Sequence, residues 1–391
     1  MKKFFALTLA LVMALGLTAC GGGAPAADGE KVVKIGVYEP QSGDNGAGGK
    51  QEILGMQYAH SVQPTVDING ETYQVELVVV DNESSNDKAV GAASKLISSG
   101  VSVVLGSYGS GVSIAASDTF KNAGVPAIGV TCTNPAVTAG NQHYFRVCFI
   151  DPFQGPVLAN YAKGNLGVQK AYCLSKLGDD YSGGLVSYFA TAFEALGGEV
   201  IKEEFPEGNS DFTSYITKAA NEGCGVFFSP VSTEAAQLII NQAASQGMKM
   251  PILAGDTWDS NVVLDAAKGT EVPVTVTTFY ADGTDAAFES GIKEWIKADP
   301  NNLKNNNGND TLAAVSVMGY DAYFVALEAV KAAGTTDAAA VMAALPTVSY
   351  KGVTGQIEFD ENGDAIVKTA YVKTSDNATG AWVGGGAVTI G

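Results

Sequence analysis

The chain of 391 residues is 46% hydrophobic and 16% charged, a balance that is typical of a well-packed globular protein and argues against a disordered one. Its length suits two domains rather than one. The formal net charge of −18 argues against nucleic acid or an anionic lipid surface as a partner, because both attract clustered lysine and arginine.

The first predicted element is a short apolar run over residues 4–17, preceded by Lys2 and Lys3. A positive start, an apolar middle and small residues at the end predict a secretion signal over residues 1–19. The run is shorter than the roughly 20 apolar residues that a membrane span needs. Its end, Leu17-Thr18-Ala19-Cys20, resembles the lipobox of bacterial lipoproteins, which implies that Cys20 becomes the lipidated first residue. The alternative is an ordinary signal peptide with an incidental cysteine.

A lipid on Cys20 would place the rest of the chain outside the cytoplasm, anchored to the outer face of the cell membrane or in the periplasm. Residues 20–30 are rich in glycine and alanine, so we expect a flexible tether between lipid and fold. No later apolar stretch reaches spanning length, and we expect no transmembrane helix after the signal.

Strand-length and helix-length segments then alternate in two series. In the first, predicted strands at 32–38, 75–80, 101–106, 126–131 and 144–149 alternate with helices at 49–66, 87–98 and 110–121. In the second, strands at 171–176, 200–205, 225–229 and 251–255 alternate with helices at 184–196, 212–220 and 234–245, with a short helix near Val262. The strands are continuous β-branched runs, which favour parallel sheets covered on both faces. Two such series predict an α/β protein with two doubly wound, Rossmann-like lobes.

The tail departs from this alternation. Residues 285–298 and 312–333 are predicted to be helices, and a hairpin is predicted between 355–359 and 366–373. The Asn362-Gly363 step is a strong turn signal at its centre.

Residues that would support catalysis or bind a metal are scarce. His60 and His143 are the only histidines, and neither lies in a metal-binding or catalytic spacing. The cysteines after Cys20 are Cys132, Cys148, Cys173 and Cys224, without a Cys-x-x-Cys pair. We therefore expect no enzyme, no cofactor and no metal, and a Cys132–Cys148 disulfide is left open.

Polar residues follow three predicted strands, at the sheet edge where open parallel sheets bind ligands. Tyr108, Gly109 and Ser110 follow the strand at 101–106, and Thr131, Cys132 and Thr133 end the strand at 126–131. Hydroxyls beside a helix start suit a carboxylate, although Ser110 could simply cap its helix. Asp256 follows the strand at 251–255 and could accept an ammonium group or cap the next helix. Together these residues would suit a zwitterion held between the lobes.

Several segments, in this order and spacing, resemble the substrate-binding lipoproteins of ABC transporters for branched-chain amino acids, the type I periplasmic binding proteins. The segments are Ile35-Gly36-Val37-Tyr38-Glu39-Pro40-Gln41-Ser42-Gly43, Val80-Asp81-Asn82, Gly106-Ser107-Tyr108-Gly109-Ser110, Gly124-Val125-Pro126, Phe145-Arg146-Val147, Asp179-Asp180-Tyr181-Ser182-Gly183-Gly184, Gly255-Asp256-Thr257-Trp258-Asp259-Ser260, Gly319-Tyr320-Asp321-Ala322 and Gly352-Val353-Thr354-Gly355. The resemblance implies two lobes joined by three crossings, with residues 31–151 and 281–351 in lobe 1 and residues 152–280 and 352–391 in lobe 2.

The resemblance also implies roles for the residues at the strand ends. Ser110 and Thr133 match the hydroxyls that bind an amino acid's carboxylate, and backbone groups of Tyr108, Thr131 and Cys132 would add to that cradle. Tyr181 matches a tyrosine of the second lobe that contacts the ligand. Asp256 is the expected ammonium acceptor, although the family often places this acid one position later, where this chain has Thr257.

The expected function is capture of an amino acid by hinge closure and its delivery to an ABC transporter permease, by a monomer. Two family aromatics are replaced, one by Gly46-Ala47-Gly48-Gly49 and one near Val231. A branched-chain amino acid is therefore the leading ligand, and a related amino acid, a small amide or an organic acid stays open. The alternatives in function are a ligand-sensing lipoprotein and, from another class, an extracellular enzyme on the same scaffold.

Overall fold

The computed structural model describes residues 31–367 and 369–389. Its first sheet contains the strands β1 Val32–Glu39, β2 Thr65–Ile68, β3 Glu71–Asp81, β4 Val103–Leu105, β5 Ala127–Gly129 and β6 Tyr144–Arg146. They lie in the order β2-β3-β1-β4-β5-β6, and all neighbours are parallel except β2 and β3. Ile35 of β1 lies opposite Leu77 of β3 and Val103 of β4, so the middle of the sheet is apolar.

The helices between these strands cover both faces of the sheet. They are α1 Gly46–Val62, α2 Asn86–Ser98 and α3 Ser110–Ala123. Val33, Ile35 and Val37 face one helical layer and belong to one apolar core, whereas Tyr38 and Val104 belong to a second core on the opposite face. Two cores on one sheet explain why its strands are continuously apolar instead of alternating.

The second sheet lies in the order β15-β14-β11-β10-β9-β7-β8. The remaining strands are β7 Lys170–Lys176, β8 Glu199–Phe205, β9 Val226–Phe228, β10 Ile252–Ala254, β11 Val274–Thr278, β12 Ser349–Gly352, β13 Gly355–Glu358, β14 Ala370–Asp376 and β15 Ala381–Val388. The remaining helices are α4 Asp151–Asn160, α5 Asp180–Ala195, α6 Thr213–Asn221, α7 Thr233–Ser245, α8 Asn261–Ala267, α9 Ala286–Ala298, α10 Pro300–Asn305, α11 Ala314–Ala333 and α12 Ala338–Ala344. The predicted class, an α/β fold with two doubly wound lobes, is confirmed.

The C-terminal part of the chain returns to both sheets. Helix α11 packs so closely on α1 that a Cβ on Gly55 would lie 1.8 Å from the backbone oxygen of Ser316. Strands β14 and β15 extend the second sheet as its antiparallel edge. We propose that the chain crosses between the lobes near residues 147–150, 279–285 and 360–369. The third crossing then lies later than the boundary at 351/352 expected above, because β13 pairs with β12 and its Ile357 packs in the same core as Ile35 of β1.

The predicted hairpin between 355–359 and 366–373 is wrong. Strand β13 pairs with β12, and β14 pairs with β11 and β15. Pairing between the two segments is limited to an isolated bridge of Phe359 with Ala365 and its hydrogen bond from Ile366 N to the Glu358 carbonyl oxygen at 2.9 Å. The turn itself exists, since Gly363 has a φ of +85°. The pairing fails because each flanking strand finds a partner in a different part of the fold, which a local turn signal cannot reveal.

The cysteines are thiols in this structure, including Cys132 and Cys148, for which a disulfide was left open. Burial raises the pKa of the Cys132 thiol to about 11. Cys20 lies outside the described residues. None of the described helices combines the length and the apolar character that crossing a bilayer requires.

Candidate functional site

The first part of the site is built by two turns that follow neighbouring strands of the first sheet. After β4, Gly106 has a φ of +122°, and a Cβ there would lie 2.3 Å from the Tyr38 carbonyl oxygen. This conformation is available to glycine and lets the chain turn directly into α3. After β5, Thr133 follows the turn, and the Ser110 Oγ accepts a hydrogen bond from the Asn134 backbone N at 3.2 Å. The two predicted hydroxyl turns are therefore joined.

Arg146 holds the second of these turns in place. Its side chain is fully buried at the end of β6, and it is the only arginine in the chain. Its Nη1 donates to the carbonyl oxygens of Cys132 at 2.8 Å and Asn134 at 2.7 Å, while its Nε pairs with Asp364 Oδ1 at 2.5 Å. The guanidinium therefore shapes the first lobe and is occupied by protein partners.

The second lobe supplies Asp256, which directly follows β10. The Asp256 Oδ1 accepts hydrogen bonds from Gln154 Nε2 at 2.7 Å and from Tyr181 Oη at 2.9 Å. The Asp256 Oδ2 accepts none from any described residue, although the residue is 1% exposed. Gly255 is required here, because its Cβ would lie 2.4 Å from Tyr181 Oη. Burial raises the pKa of Asp256 well above its usual value, and the charge on Asp151 adds to the increase.

The two lobes contact each other across the cleft. Tyr108 Oη donates to the Thr257 carbonyl oxygen at 3.1 Å, and Asn134 Nδ2 donates to the Asp180 carbonyl oxygen at 2.7 Å. At the cleft mouth, Lys176 Nζ lies 2.6 Å from Asp44 Oδ2 and 2.6 Å from Glu207 Oε2. The opposite end of the cleft is joined by the hydrogen bonds of Gln51 with Ser260 at 3.1 Å and with Asn261 at 2.9 Å.

A cavity of about 60 Å³ lies between the lobes at this mouth. Four of the predicted ligand-binding residues line it, namely Tyr108, Gly109, Ser110 and Tyr181. Thr131, Cys132, Thr133 and Asp256 do not line it, and all four are buried. A cavity of about 310 Å³ lies elsewhere, beside the crossing segments, where it is lined largely by apolar residues such as Phe149, Phe279 and Met318.

Two of the backbone groups that were expected to help bind the ligand's carboxylate already form hydrogen bonds within the protein. The Tyr108 backbone N donates to Glu39 Oε2 at 2.6 Å, and the Cys132 carbonyl oxygen accepts from Arg146. The Thr133 hydroxyl, by contrast, is fully buried and has no hydrogen-bond partner among the described residues. Thr133 and Asp256 thus offer one unpartnered hydroxyl and one unpartnered carboxylate oxygen from opposite lobes.

Sequence reasoning missed two buried glutamates of the first lobe, Glu39 and Glu52, called the glutamate pair below. Glu39 ends β1, and Glu52 in α1 accepts a hydrogen bond from Thr131 Oγ1 at 2.7 Å. Their carboxyls lie within hydrogen-bonding reach of each other. Burial raises the pKa of both, that of Glu52 to about 7 and that of Glu39 well above its usual range, where the charge on Glu52 adds to the effect. The signal for Glu39 was available, because it stands at the carboxyl end of the first strand.

A third missed acid is Asp151, which begins α4 and forms the aspartate pair with Asp256. It is fully buried, and neither carboxylate oxygen accepts a hydrogen bond from a described residue. Burial raises its pKa to about 7, although the Thr133 hydroxyl, which is near Asp151 but outside hydrogen-bond geometry, and the Arg146 charge act in the opposite direction. In the part of the chain that the structure describes, no three His, Cys, Asp or Glu side chains are arranged to hold a metal ion.

Comparison with known proteins finds one family over most of the chain. Residues 32–380 match the family model described as periplasmic binding protein. The Leu/Ile/Val-binding protein homolog 1 of Brucella suis is 30% identical over 361 residues, covering 91% of this chain and 93% of that protein.

Solved structures of similar fold have been determined for bacterial binding proteins. The leucine-binding protein of Thermotoga maritima has a TM-score of 0.78 and 31% identity, over 91% of this chain and 99% of that one. A branched-chain amino acid transporter substrate-binding protein of Streptococcus pneumoniae, in complex with isoleucine, has a TM-score of 0.79 and 27% identity, over 92% of this chain and 100% of that one.

Proposed function

This chain belongs to the periplasmic binding protein family, and on that premise we propose that it is the solute-binding component of an ABC transporter, which captures an amino acid between its lobes and delivers it to a membrane permease. The family consists of solute binders without catalysis, which confirms the prediction that the protein is not an enzyme.

One observation supports an amino acid as the ligand. The Thr133 hydroxyl and the Asp256 Oδ2 are both buried and unpartnered among the described residues, and they belong to opposite lobes. A hydroxyl can donate to a carboxylate, and an acid can accept from an ammonium group. A zwitterion satisfies both only when the lobes close on it.

The mechanism is hinge closure around the ligand, a motion for which periplasmic binding proteins are a standard example. Ser110 and Thr133 bind the carboxylate from the first lobe, while Tyr181 and Asp256 bind the ammonium group from the second. The direct contacts of Tyr108 with Thr257 and of Lys176 with Asp44 stabilise the closed form. Closure removes the ligand from water and strengthens each charged hydrogen bond.

The proposed location is outside the cytoplasm, with a lipid anchor on Cys20 that keeps the loaded protein near its permease. A ligand-sensing lipoprotein would use the same cleft and the same anchor. Replacing Cys20→Ser should release the protein from the membrane fraction without changing ligand affinity. A variant that stays membrane-bound would contradict the anchor.

A thermal-shift screen tests the ligand class. The purified protein is heated with each of the 20 common amino acids and with small carboxylic acids and amides. A ligand at 100 times its Kd stabilises the folded state by about 2.7 kcal/mol, which raises the Tm by several degrees. We expect at least one amino acid to do so. A shift caused only by acids or amides would contradict the amino-acid ligand.

A further inference from the structure

Tyr108 lies between two sets of buried carboxyls, the glutamate pair and the aspartate pair. Its backbone N donates to Glu39 Oε2 at 2.6 Å, and its Oη donates at 3.1 Å to the carbonyl oxygen of Thr257, the neighbour of Asp256. Burial raises the pKa of the Tyr108 hydroxyl, and so do the charges on Asp256, Glu52 and Glu39. The charges on Asp151 and Glu52 likewise raise the pKa of Asp256. Each pair therefore lies within electrostatic range of the other, with Tyr108 among them.

Most of these carboxylate oxygens lack hydrogen bonds. Glu39 Oε1, Glu52 Oε2, Asp256 Oδ2 and both oxygens of Asp151 receive none from the described residues. Buried carboxylates without a donor or an opposite charge are costly, so such groups either hold a proton or meet a cation. Burial raises the pKa of both glutamates, so the ligand-free pair holds protons, which a bound cation would replace.

The protein supplies no cation to these four groups. The salt bridges among residues 31–367 and 369–389 include none to Glu39, Glu52, Asp151 or Asp256. Arg146 lies near enough to lower the pKa of Asp151, but its N–H groups bind Asp364 and backbone oxygens.

The buried lysine Lys373 is also paired with other acids. Lys373 pairs with Asp259 at 3.1 Å and with Asp282 at 3.5 Å, which neutralises the remaining acid of the segment after β10. A neutral zwitterion would provide one ammonium group for the aspartate pair. The unpartnered oxygens of the glutamate pair would then have neither a donor nor a cation from the ligand.

Resting on the function proposed above, we infer that the ligand is an amino acid whose side chain carries a second positive charge. Its α-ammonium group binds the aspartate pair, and its side-chain cation binds the glutamate pair. A primary ammonium group has three N–H donors, which suits the unpartnered oxygens of either pair. The carboxylate of the same ligand binds Ser110 and Thr133, which distinguishes it from a simple diamine.

The cleft mouth has the charge that such a ligand requires for rapid capture. A cavity of about 400 Å³ at this mouth is lined by the acids Asp44, Glu83, Asp87, Asp179 and Glu207, and by Lys176 as its basic side chain. Clustered acids at the entrance of a cleft raise the local concentration of cations and their rate of association. The acids at the mouth and the buried acids inside the cleft therefore both favour a positively charged ligand.

Three probes of matched shape test this ligand class by calorimetry with the purified protein. L-lysine carries all three charged groups, L-norleucine lacks the side-chain cation, and 1,5-diaminopentane lacks the carboxylate. We expect lysine to bind at least about tenfold more tightly than either analogue. Norleucine binding as tightly as lysine would overturn the second positive charge and leave the amino-acid function standing.

The other outcomes separate the two proposals. Equal affinity for lysine and 1,5-diaminopentane would support a cation site and contradict the amino-acid function. If neither lysine nor 1,5-diaminopentane binds, the second positive charge of the ligand is overturned. If norleucine and the other amino acids also fail to bind, the amino-acid function is overturned as well.

A variant identifies the site. Glu52→Gln keeps the shape of the side chain and removes its charge, so it should weaken lysine binding at least about tenfold and leave norleucine binding unchanged. The control is Glu76→Gln on the exposed side of β3, which should change neither affinity. Equal loss of lysine and norleucine would contradict a role for Glu52 in cation recognition. If Glu52→Gln does not fold, the ratio of the lysine and norleucine affinities of the unaltered protein decides whether the ligand carries a second positive charge.

Discussion

Asp256 is the residue on which the proposed recognition depends most. Two hydrogen bonds, from Gln154 and Tyr181, fix one of its oxygens, and the other oxygen has no partner among the described residues. Such an arrangement orients a carboxylate before a ligand arrives, so little entropy is lost on binding. The same arrangement makes the ligand-free protein hold a costly buried acid.

Replacing Asp256→Asn should weaken amino-acid binding by at least about tenfold, because the ammonium group loses a charged hydrogen bond worth roughly 1.5–3 kcal/mol. Calorimetry measures the affinity. Asp118→Asn on the exposed face of α3 serves as the control and should bind normally. Unchanged affinity in Asp256→Asn would transfer the acceptor role to Asp151.

The buried acids also predict how stability depends on pH. The pKa of Glu52 rises from 4.5 to about 7, and that of Asp151 rises from 3.8 to about 7, in both cases mainly through burial. The folded protein therefore holds protons that the unfolded chain has released between these values, so the free energy of unfolding falls as the pH rises through this window. Each such proton contributes a slope of up to about 1.4 kcal/mol per pH unit.

Urea denaturation of the ligand-free protein between about pH 5 and pH 8 measures this dependence. The groups around Glu52 are Glu39 and Thr131, and those around Asp151 are Thr133, Arg146, Asp179 and Asp256. Glu52→Gln should make the curve flatter. A stability that increases over the same range would contradict the protonation of these acids.

At the scale of elements, the turn after β5 depends on one buried guanidinium. Arg146 binds Asp364 and the carbonyl oxygens of Cys132 and Asn134, so it joins the end of β6, the turn after β5 and a crossing segment. No single element would hold this turn, because its backbone oxygens are not part of either sheet ladder.

Replacing Arg146→Met should lower the free energy of unfolding by roughly 3–5 kcal/mol, because Asp364 loses its positive partner and the carbonyl oxygens of Cys132 and Asn134 lose their donor. Chemical denaturation measures the change. Lys249→Met, which removes an exposed salt bridge with Glu271, is the control and should cost about 1 kcal/mol or less. An equally small effect of Arg146→Met would mean that the turn is held by other contacts.

Element patterns predicted much of this fold and part of its site. Continuous apolar strands with alternating helices led to two parallel sheets, and the sheet-edge rule led to Ser110, Thr133 and Asp256. The sheet-edge rule also applies to Glu39, which ends β1. Glu39 was nevertheless missed, because it stands before Pro40 in the segment 35–43, which was used only as part of the family resemblance. The contact of Glu52 with Thr131 could not be predicted from the sequence, because packing between distant elements determines which face of α1 lies against Thr131.

The tail shows the same limit. The Asn362-Gly363 turn was correctly located, yet beyond one bridge beside the turn its flanking strands pair with β12 and β11 instead of each other. Strand partners across a fold follow from the global arrangement of the lobes, whereas a turn signal reports only four residues.

At the scale of the whole molecule, the hydrogen bonds of Tyr108 with Thr257, of Asn134 with Asp180 and of Gln51 with Asn261 join the lobes across the cleft, and such polar contacts suit a cleft that opens and closes. The Lys176 ion pairs with Asp44 and Glu207 are the charged contacts at the mouth, and Asp44 belongs to the opposite lobe from Lys176. Hinge closure requires such contacts to be weak enough to release the ligand at the permease.

Replacing Lys176→Met should therefore weaken ligand affinity only modestly, by about fivefold or less, because the pair is partly exposed and screened by salt. The loss should appear mainly as faster dissociation in stopped-flow measurements, since the contact forms in the closed state. A loss as large as that of Asp256→Asn would assign Lys176 a direct contact with the ligand.

A crystal structure of the protein with its tightest amino-acid ligand would show whether the amino acid binds between the lobes. We expect the ligand's carboxylate to contact Ser110 and Thr133, and its α-ammonium group to contact Asp256. A ligand in the apolar cavity beside Phe149 and Phe279, or with its ammonium group turned away from Asp256, would contradict this expectation.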